Sequence, residues 1–229
     1  MAVAFLPSAL RDQWVSCSNF MKIKNLRIYG LGESCIRSGY PMQTREPSDL
    51  DDIGSGNDDI IRAYKLAKNE PGTGHNNFLK GIVVQFDLLY PQYFAPQFQL
   101  YHWFEIISSQ SKMHRLTQIA NIKSHCNRFV FHDIARTIDG LIEIYNDQMA
   151  VYPVQLEQGD HTYNCIDRKE LYHYIISNLP MGYELWAGIS TNYLQLKTIY
   201  KQRRWHKLDD WREFCAFIEG LPMSELITK

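Results

Sequence analysis

The sequence predicts an α/β protein in which helices flank a central sheet, and three stretches support that prediction. Residues 81–90 form a nearly continuous apolar run that begins with β-branched side chains, which is typical of a central buried strand. Residues 183–191 show a second strand-like pattern later in the chain. Residues 131–149 show the clearest helical period, with apolar side chains recurring on one face. Strands that alternate with such helices favour an α/β architecture.

The composition is that of an ordinary soluble globular protein. The 229 residues are 45% hydrophobic and 21% charged, which argues against a disordered or membrane protein and suits one domain or two. The net charge of -1, from 24 basic and 25 acidic residues, gives no electrostatic case for a nucleic-acid partner. Aromatic residues make up 13% of the chain, which suits planar ligands or a large interface.

The cysteines and the N-terminus favour a cytoplasmic protein. The cysteines show no CxxC pairing, which predicts reduced thiols, and they are Cys17, Cys35, Cys126, Cys165 and Cys215. No apolar run reaches the ~18 residues that a membrane span needs, and the first ten residues lack the features of a signal peptide. We expect residues 1–20 to be an N-terminal extension and residues 21–229 to form a single domain.

The first half of the chain is predicted to begin with a strand over residues 22–30, which ends at glycines. Ser34 and Ser38 follow among turn-forming residues, and residues 43–58 are predicted to form an exposed polar loop. This half is completed by a helix over residues 59–68, which Asp58 or Asp59 would cap, by a turn at residues 71–74, and by the buried strand over residues 81–90.

Residues 97–115 begin like an amphipathic helix and then change abruptly to a polar string. The helical pattern rests on Phe98, Tyr101, Phe104, Ile106 and Ile107. The serines that follow compete for backbone hydrogen bonds and favour a turn or a helix start. With a lysine and an arginine beside it, such a turn suits phosphate or another anion, although a solvated loop between two helices accounts equally well for the pattern.

The second half is predicted to be mainly helical. Residues 116–122 have a helical pattern, residues 152–166 are predicted to be irregular, and Asp167 begins a helix that ends near Pro180. Asn192 begins another helix, which ends in basic residues 201–207, and residues 209–219 form the last one. The basic residues are explained either by the helix dipole or by a phosphate clamp.

Familiar catalytic motifs are missing from the sequence. It has no HExxH, GxGxxG, GxxxxGK[ST] or GxSxG pattern, which lowers the prior for a zinc enzyme, a dinucleotide fold, a P-loop protein or a hydrolase. His75 follows a glycine turn before the buried strand, where ligand contacts are common, but an ordinary satisfied histidine is commoner still. His102 is by default a core or interface histidine.

The chain resembles the flavin-dependent thymidylate synthases over about residues 30–220. The family signature RHRxxSxxxxSxRY can be laid over Tyr101-His102-Trp103, Gln110-Ser111 and Met113-His114. The histidine, the glutamine and the second serine match, whereas both flanking arginines, the first serine and the final arginine do not. Gly74-His75, Pro91 and Gln97 resemble the approach to that signature, and Ser34 to Ser38 resemble an early Arg-x-Ser turn. Leu179-Pro180, Asn192 and Arg203 resemble the LP…NxxxL…R segment, with Trp211 near a family tryptophan; the family's second phosphate arginine corresponds to Ile176.

The resemblance implies roles for particular residues. The implied catalytic residues are Ser111 and Arg203. The implied nucleotide-binding residues are Gln97, Ser109, Gln110, Ser111, Lys112, Met113, Arg115 and Arg203. The implied cofactor-binding residues are Ser34, His75, Asn77, His102, Ser108, Asn192 and Thr198. No metal ligand is implied.

The resemblance also implies a fold and an activity. The fold would be a twisted, mostly antiparallel sheet flanked by helices, like the thymidylate synthase complementing proteins, assembled as a homotetramer with active sites at subunit interfaces. The activity would be reductive one-carbon transfer to C5 of a pyrimidine deoxynucleoside monophosphate, with FAD as cofactor and NADPH and methylenetetrahydrofolate as co-substrates. The branch is similar to phage and bacterial sequences, so the compartment would be the cytoplasm, or the host cytoplasm for a phage protein.

Alternatives remain at this level. One is a dUMP or dCMP hydroxymethylase or a related nucleotide-modifying enzyme. Another is a non-catalytic nucleotide- or flavin-binding homologue, since the missing signature arginines normally contact flavin and folate. A third is a structural or interaction protein whose aromatic surfaces pack a complex.

Overall fold

The computed structural model describes residues 21–44, 46, 56–147, 149, 152, 154–158, 160–165 and 167–229. Most of the polar loop predicted over residues 43–58 and the N-terminal extension over residues 1–20 lie outside them. Contacts divide the described chain into two compact units, one from residues up to 89 with 96–108 and 186–229, the other from 90–95 and 109–185. The single domain over 21–229 stays a prediction.

The strands confirm the predicted sheet. They are β1 Lys22–Tyr29, β2 Val83–Pro91, β3 Glu105–Ser109, β4 Val154–Gln158, β5 His161–Cys165 and β6 Glu184–Asn192. The helices are α1 Leu31–Arg37, α2 Asn57–Ala67, α3 Ala95–Phe98, α4 Lys112–Arg115, α5 His132–Asn146, α6 Arg168–Asn178, α7 Tyr193–Arg203, α8 Asp209–Glu219 and α9 Glu225–Thr228. Short 3-10 turns are Tyr40–Met42, Asn77–Gly81, Leu116–Gln118 and Ile122–His125.

The four-stranded sheet has the order β1-β2-β6-β3. β1 pairs antiparallel with β2, from Lys22 opposite Leu89 to Tyr29 opposite Val83. β2 and β6 also run antiparallel, because the Tyr193 N–H donates to the Ile82 carbonyl at one end and the Gln92 N–H donates to the Tyr183 carbonyl at the other, at 3.1 and 3.0 Å. The buried strand predicted over residues 81–90 is therefore central.

An aromatic cluster fills the core of the first unit. Phe86 on β2 packs against Phe104, Phe214 and Phe217, with ring centroids 6.2, 6.1 and 5.3 Å away. The last two residues belong to α8, which spans the residues 209–219 predicted from the sequence. Burial of such rings is the main stabilising contribution to this layer.

The second unit contains the clearest predicted helix and a hairpin. The helix predicted over residues 131–149 is α5, and it buries Ile138 and Ile142 but leaves Ile134 43% exposed. The prediction that residues 152–166 are irregular is wrong, because β4 and β5 pair antiparallel there, with Gln158 opposite His161. The Gly-Asp pair between these strands in the sequence is a turn signal that favours a two-residue hairpin.

Two further local predictions are wrong. The amphipathic helix expected from residue 97 is a single turn, α3, followed by strand β3. The β-branched pair Ile106-Ile107 favours a strand, and β6 supplies its neighbour: a Cβ on Gly188 would lie 3.8 Å from the Cβ of Ile107. Ser34 and Ser38 lie within α1 and at its C-cap rather than in an open turn.

Three helix starts were predicted with different accuracy. Asp167 and Asn192 cap α6 and α7 as expected, since their side chains accept hydrogen bonds from the N–H groups of Glu170 and Gln195. Helix α2 begins slightly before the expected aspartates, with Gly56 at its N-cap.

The helix expected over residues 116–122 is not formed. These residues belong to two 3-10 turns instead.

Candidate functional site

Arg203 lies at the last position of α7, where its guanidinium is held between two aromatic rings. The guanidinium carbon is 4.8 Å from the ring centroid of Trp211 and 5.7 Å from that of Tyr101. Its Nε donates to the Tyr101 hydroxyl at 2.7 Å, and that hydroxyl donates to Oε1 of Gln202 at 3.0 Å. These contacts fix the plane of the guanidinium and leave its terminal nitrogens for a ligand.

Trp211 connects Arg203 with a second predicted nucleotide-binding residue. The indole is fully buried on α8, and its Nε1 donates to Oε1 of Gln97 at 2.9 Å. The structure therefore brings Gln97 and Arg203 to the same indole, although they are far apart in sequence. Across the residues that the structure describes, no carboxylate is ion-paired with Arg203. A cation that is fixed but not neutralised by the protein suits an anionic ligand.

His206 is expected to make the stability of the protein depend on pH. Its Nδ1 accepts from the Leu208 N–H at 3.2 Å, and its ring centroid is 6.5 Å from that of Trp211. Burial, and then the charges of Arg203 and Lys207, lower the pKa of His206. Between that lowered pKa and the ordinary value of about 6.5, the unfolded chain binds more protons than the folded one.

We therefore expect the free energy of unfolding to rise as the pH rises through that window and this contribution to be constant above it. Urea unfolding of the wild type between about pH 5 and pH 8 measures the rise. His206→Gln, which takes up no proton, should show a smaller rise. An equal rise in both proteins would contradict the assigned protonation of His206.

The Ser-rich turn belongs to the second unit and forms a helix start, one of the two outcomes expected for it. The Ser111 hydroxyl caps α4 by accepting from the His114 N–H at 3.3 Å. Lys112 Nζ donates to Oε1 of Gln92 at 2.6 Å, and the backbone carbonyl of Met113 accepts from the Tyr172 hydroxyl at 2.9 Å. Three of the residues expected to cradle a nucleotide thus have partners within the protein.

The other members of this turn differ in exposure. Ser109 ends β3 and is exposed, while Gln110 and Arg115 are half-buried. Burial raises the pKa of Tyr183, and the positive charge of Arg115 opposes that rise. The Tyr183 side chain is fully buried, and within the described part of the chain its hydroxyl has no hydrogen-bond partner.

Four of the predicted cofactor residues are available to a ligand. The side chains of His75, Asn77, His102 and Ser108 are exposed, and the described structure gives them no hydrogen bond. They offer imidazole, amide and hydroxyl groups, which suit the polar edge of a flavin and its ribityl hydroxyls. The four side chains thus carry the donors and acceptors that such a cofactor would need.

The remaining three predicted cofactor residues have structural roles. Asn192 caps α7, and the Thr198 hydroxyl donates to the Leu194 carbonyl at 3.2 Å one turn earlier. Ser34 is 1% exposed, and its hydroxyl lies against Gly81 and has no hydrogen-bond partner among the described residues. An orphaned buried hydroxyl lowers stability unless it serves a ligand.

Ser34→Ala should therefore raise the free energy of unfolding by about 1 kcal/mol, because it removes an unsatisfied buried hydroxyl. Urea unfolding measures this change. Ser38→Ala is the matched control: its hydroxyl donates to the Cys35 carbonyl at 2.6 Å and accepts from Arg62 Nε at 3.1 Å, so its loss should destabilise. If Ser34 contacts the cofactor, Ser34→Ala should also weaken FAD binding. Destabilisation by Ser34→Ala would contradict the assignment of its hydroxyl as unsatisfied.

None of the cysteines with described side chains is an activated nucleophile. Burial raises the pKa of Cys126 to about 11 and that of Cys215 to about 12, and it also raises the pKa of Cys35. Reactive thiols require the opposite shift, toward the thiolate. The thiols described here are therefore structural.

Sequence reasoning missed Gln195 and Gln202, which support the site from α7. Both bond to the segment from Tyr101 to Trp103: Gln202 accepts from the Tyr101 hydroxyl, and Oε1 of Gln195 accepts from the Trp103 N–H at 3.2 Å. Their spacing of seven residues places them on one face of a helix, which is the signal that could have found them.

Of three comparisons with known proteins, the one with solved structures identifies a fold. No family model matches the chain, and a search of curated proteins finds no match. Solved structures do match: a flavin-dependent thymidylate synthase ThyX from Helicobacter pylori complexed with FAD and dUMP has a TM-score of 0.60 and 12% identity, over 91% of this chain and 97% of that one. A second structure of that enzyme with FAD and dUMP has a TM-score of 0.62 at the same identity and coverage.

The chain therefore has the fold of these ThyX structures, a mixed α/β fold with an antiparallel sheet flanked by helices, as the sequence predicted. At 12% identity the likeness shows the fold and does not assign the activity. In the described part of the chain, none of the helices has the length and apolar character needed to cross a bilayer.

Proposed function

We propose that this chain is a flavin-dependent thymidylate synthase-like enzyme that binds FAD and a pyrimidine deoxynucleoside monophosphate. The observation that supports the proposal most strongly is Arg203, an unneutralised guanidinium fixed between Tyr101 and Trp211. It occurs in a fold shared, over 97% of their length, with ThyX structures that contain FAD and dUMP. A planar cation of this kind binds two oxygens of a phosphate or the carbonyl edge of a base.

The proposed reaction is transfer of a one-carbon unit to C5 of the pyrimidine, with NADPH and methylenetetrahydrofolate as co-substrates. A bound flavin would supply the hydride that reduces the transferred carbon to a methyl group. The protein's residues would bind and orient the reactants: Arg203 and Gln97 would hold the nucleotide, and His75 and His102 would contact the cofactor. The raised pKa values of the described thiols agree with a reaction that uses no cysteine nucleophile.

The Ser-rich turn is proposed, within the second unit and by itself, as a phosphate contact. Arg115 and the backbone N–H groups near Ser109 and Ser111 would bind phosphate, and Lys112 would do so after exchanging Gln92 for the ligand. Assembly as a homotetramer with shared sites belongs to the same proposal. Light scattering of the protein at micromolar concentration tests it, and a monomer would contradict shared sites.

A second candidate function is favoured by one observation. Tyr101 and Trp103 occupy the positions of two signature arginines, so the charges that contact flavin and folate in the resembled family are missing. The chain would then be a non-catalytic protein that binds nucleotide or flavin. Transfer of hydroxymethyl rather than methyl, on dUMP or dCMP, is the corresponding alternative for an active enzyme.

Three measurements separate these functions. The absorbance spectrum of the purified protein, before and after incubation with FAD, reports flavin binding. Calorimetric titration with dUMP and dCMP reports nucleotide binding. NADPH oxidation stimulated by the nucleotide, with mass spectrometry of the product after addition of methylenetetrahydrofolate, reports turnover and the group transferred. Binding without nucleotide-stimulated oxidation would favour the non-catalytic protein, and absence of both binding events would overturn the proposal.

A further inference from the structure

Helix α5 carries a row of charged side chains around a central glycine. Positions 132, 136, 140, 143 and 147 recur at intervals of three or four residues, which places them on one face of the helix. We call this row the outer stripe, and its members are His132, Arg136, Gly140, Glu143 and Asp147. The four side chains are exposed, so a partner can reach the outer stripe on the folded second unit.

The charges of the outer stripe lie against the preference of the helix dipole. Arg136 belongs to the first half of α5, whereas Glu143 and Asp147 lie at its carboxyl end, which favours cations. The last turn contains no basic residue. Glu143 and Asp147 are also four residues apart, a spacing at which like charges repel each other. Within one copy of the chain, this arrangement does not stabilise the helix.

One copy also gives these charges little compensation. Arg136 pairs with Asp133 at 3.3 Å, but the two side chains are 78% and 90% exposed, and such a pair contributes little to stability. Asp147 accepts a hydrogen bond from the Met149 N–H at 2.8 Å and keeps its negative charge. In the parts of the chain that the structure describes, Glu143 takes part in no ion pair. Arg136 and Glu143 are therefore available to opposite charges on a partner.

Gly140 lies near the middle of the outer stripe, and the packing within one copy does not require it. A Cβ at this position would meet no atom of the described residues within 4 Å. Glycine inside a helix destabilises that helix relative to alanine. A glycine in the middle of a helix face does, however, allow the backbone of a second helix to approach closely.

The outer stripe is complementary to itself under a two-fold axis. When two copies of α5 cross antiparallel beside Gly140, positions that are equally far from the midpoint between residues 139 and 140 face each other. Arg136 then faces Glu143 of the second copy, and His132 faces Asp147 of the second copy. Each contact occurs twice in such a symmetric interface. The two helix dipoles also run antiparallel, which is their favourable arrangement.

We propose that α5 pairs antiparallel with α5 of a second copy of this chain, with the two helices crossing at Gly140. The proposal does not depend on the proposed function, because it rests on α5 and its neighbours in the second unit. The partner is a second copy because the charges of the outer stripe match the same stripe when it is turned by the two-fold axis.

A groove beside the outer stripe enlarges this contact. The groove has a volume of about 510 Å³ and lies between residues 117–120 and the second half of α5, where Ile119 and Ile142 form its apolar part. A helix of 15 residues is about 22 Å long, so the helix pair alone buries less than the roughly 1,600 Å² of a standard interface. The antiparallel arrangement brings the amino end of the partner helix to the groove, and Phe131, which is 75% exposed, precedes that end.

Charge reversal tests the pairing. Arg136→Glu places a glutamate opposite Glu143 at both symmetric contacts, and Glu143→Arg places an arginine opposite Arg136. Each change should weaken self-association about ten- to a hundredfold, because two attractive contacts become repulsive at once. Sedimentation equilibrium across micromolar concentrations measures the association, and circular dichroism with thermal unfolding checks that each variant folds. Lys169→Glu makes the same change of charge at an exposed position of α6, and this control should associate as the wild type does.

A mixture of the two variants gives the most specific measurement. Arg136→Glu has a glutamate at both positions and Glu143→Arg has an arginine at both, so every contact between the two different variants is attractive. An equimolar mixture should therefore associate about as strongly as the wild type, although neither variant does so alone. The double variant, which carries both changes and keeps the net charge of the wild type, should associate in the same way.

Gly140→Leu tests the crossing point. Within one copy the leucine side chain has open space and leucine favours a helix more than glycine does, so the thermal stability of the dissociated protein should rise. Between two copies the same side chain occupies the space of the crossing, so self-association should weaken about tenfold or more. A variant that is more stable and yet less associated cannot owe its dissociation to misfolding.

Three results would overturn the helix pair. The first is a wild type that stays monomeric across this concentration range. The second is self-association that Arg136→Glu and Glu143→Arg leave unchanged, which would place the contact on another face. The third is a mixture of these two variants that associates no better than each variant alone. Titrations with FAD and dUMP test the proposed function separately, since its ligand-binding residues lie outside the outer stripe.

Discussion

Arg203→Ala is expected to weaken dUMP binding by about ten- to a hundredfold. A bidentate, charge-assisted contact contributes roughly 1.5–3 kcal/mol, and about 1.4 kcal/mol corresponds to a factor of ten. Arg203 has no carboxylate partner in the described chain, so its guanidinium is available for such a contact. Calorimetric titration with dUMP and dCMP measures the loss.

Two variants make this expectation specific. Arg204→Ala is the neighbouring control, because Arg204 is exposed and its guanidinium lies over Tyr200 and Trp205, at 5.8 and 5.6 Å from their ring centroids. It should lower affinity much less. Arg203→Lys keeps the charge but loses the planar donor to Tyr101, so it should bind nearly as poorly as the alanine variant. Equal losses at Arg203 and Arg204, or no loss at either, would show that the basic cluster is only a solvated helix end.

Trp211→Ala should lower the free energy of unfolding by about 3–5 kcal/mol, the usual cost of removing a large buried aromatic side chain. The indole is 0% exposed and lies within 6.1 Å, centroid to centroid, of Phe214. Its removal leaves a cavity and deprives Gln97 of its Nε1–H donor. Urea unfolding, followed by circular dichroism, measures the change.

Trp205→Ala supplies the comparison for that result, since the same residue type at 84% exposure should change stability by less than about 0.5 kcal/mol. Trp211→Phe should fall between the two, because it keeps most of the packing and loses the hydrogen bond to Gln97. A small effect of Trp211→Ala would mean that the indole is not the support of Arg203 in solution.

The elements with an unambiguous period were predictable from sequence. β2 and β6 are flanked by turn residues and are apolar enough to be central, and α8 has its aromatic side chains at helical spacing. Asn192 and Asp167 were found as helix starts because a short polar side chain before an apolar pattern has a specific hydrogen-bonding role. In each case the local sequence preference and the tertiary structure favour the same element.

The failures occurred where tertiary structure decides between two local solutions. Residues 97–107 have apolar side chains at helical spacing. Residues 105–109 nevertheless form a strand, because they pair with β6 at the edge of the sheet. In the sequence, the residues of the β4–β5 hairpin are short runs of mostly polar type, so hydrophobic periodicity alone does not mark the hairpin. A strand neighbour that is distant in sequence cannot be recognised from one short stretch of residues.

The candidate site was predictable residue by residue but not as an arrangement. Gln97 and Arg203 were both named from the resemblance, but only the fold shows that one indole lies between them. Nothing local in the sequence distinguishes the structural roles of Asn192 and Thr198 from contacts with a cofactor. A side chain that caps a helix, or that bonds to a carbonyl one turn earlier, uses the same polar atoms that a ligand would use.

The antiparallel pairing of β2 with β6 also has a consequence for how the chain folds. The hydrogen bond from Tyr193 to Ile82 joins residues that are separated in sequence by the whole second unit. Loop closure of this kind costs entropy before any contact is gained, so folds dominated by distant pairings form slowly. During synthesis, residues 109–185 leave the ribosome before residues 186–229 and depend on few earlier residues for their unit. The second unit should therefore become compact first, and the pairing of β2 with β6 should form afterwards.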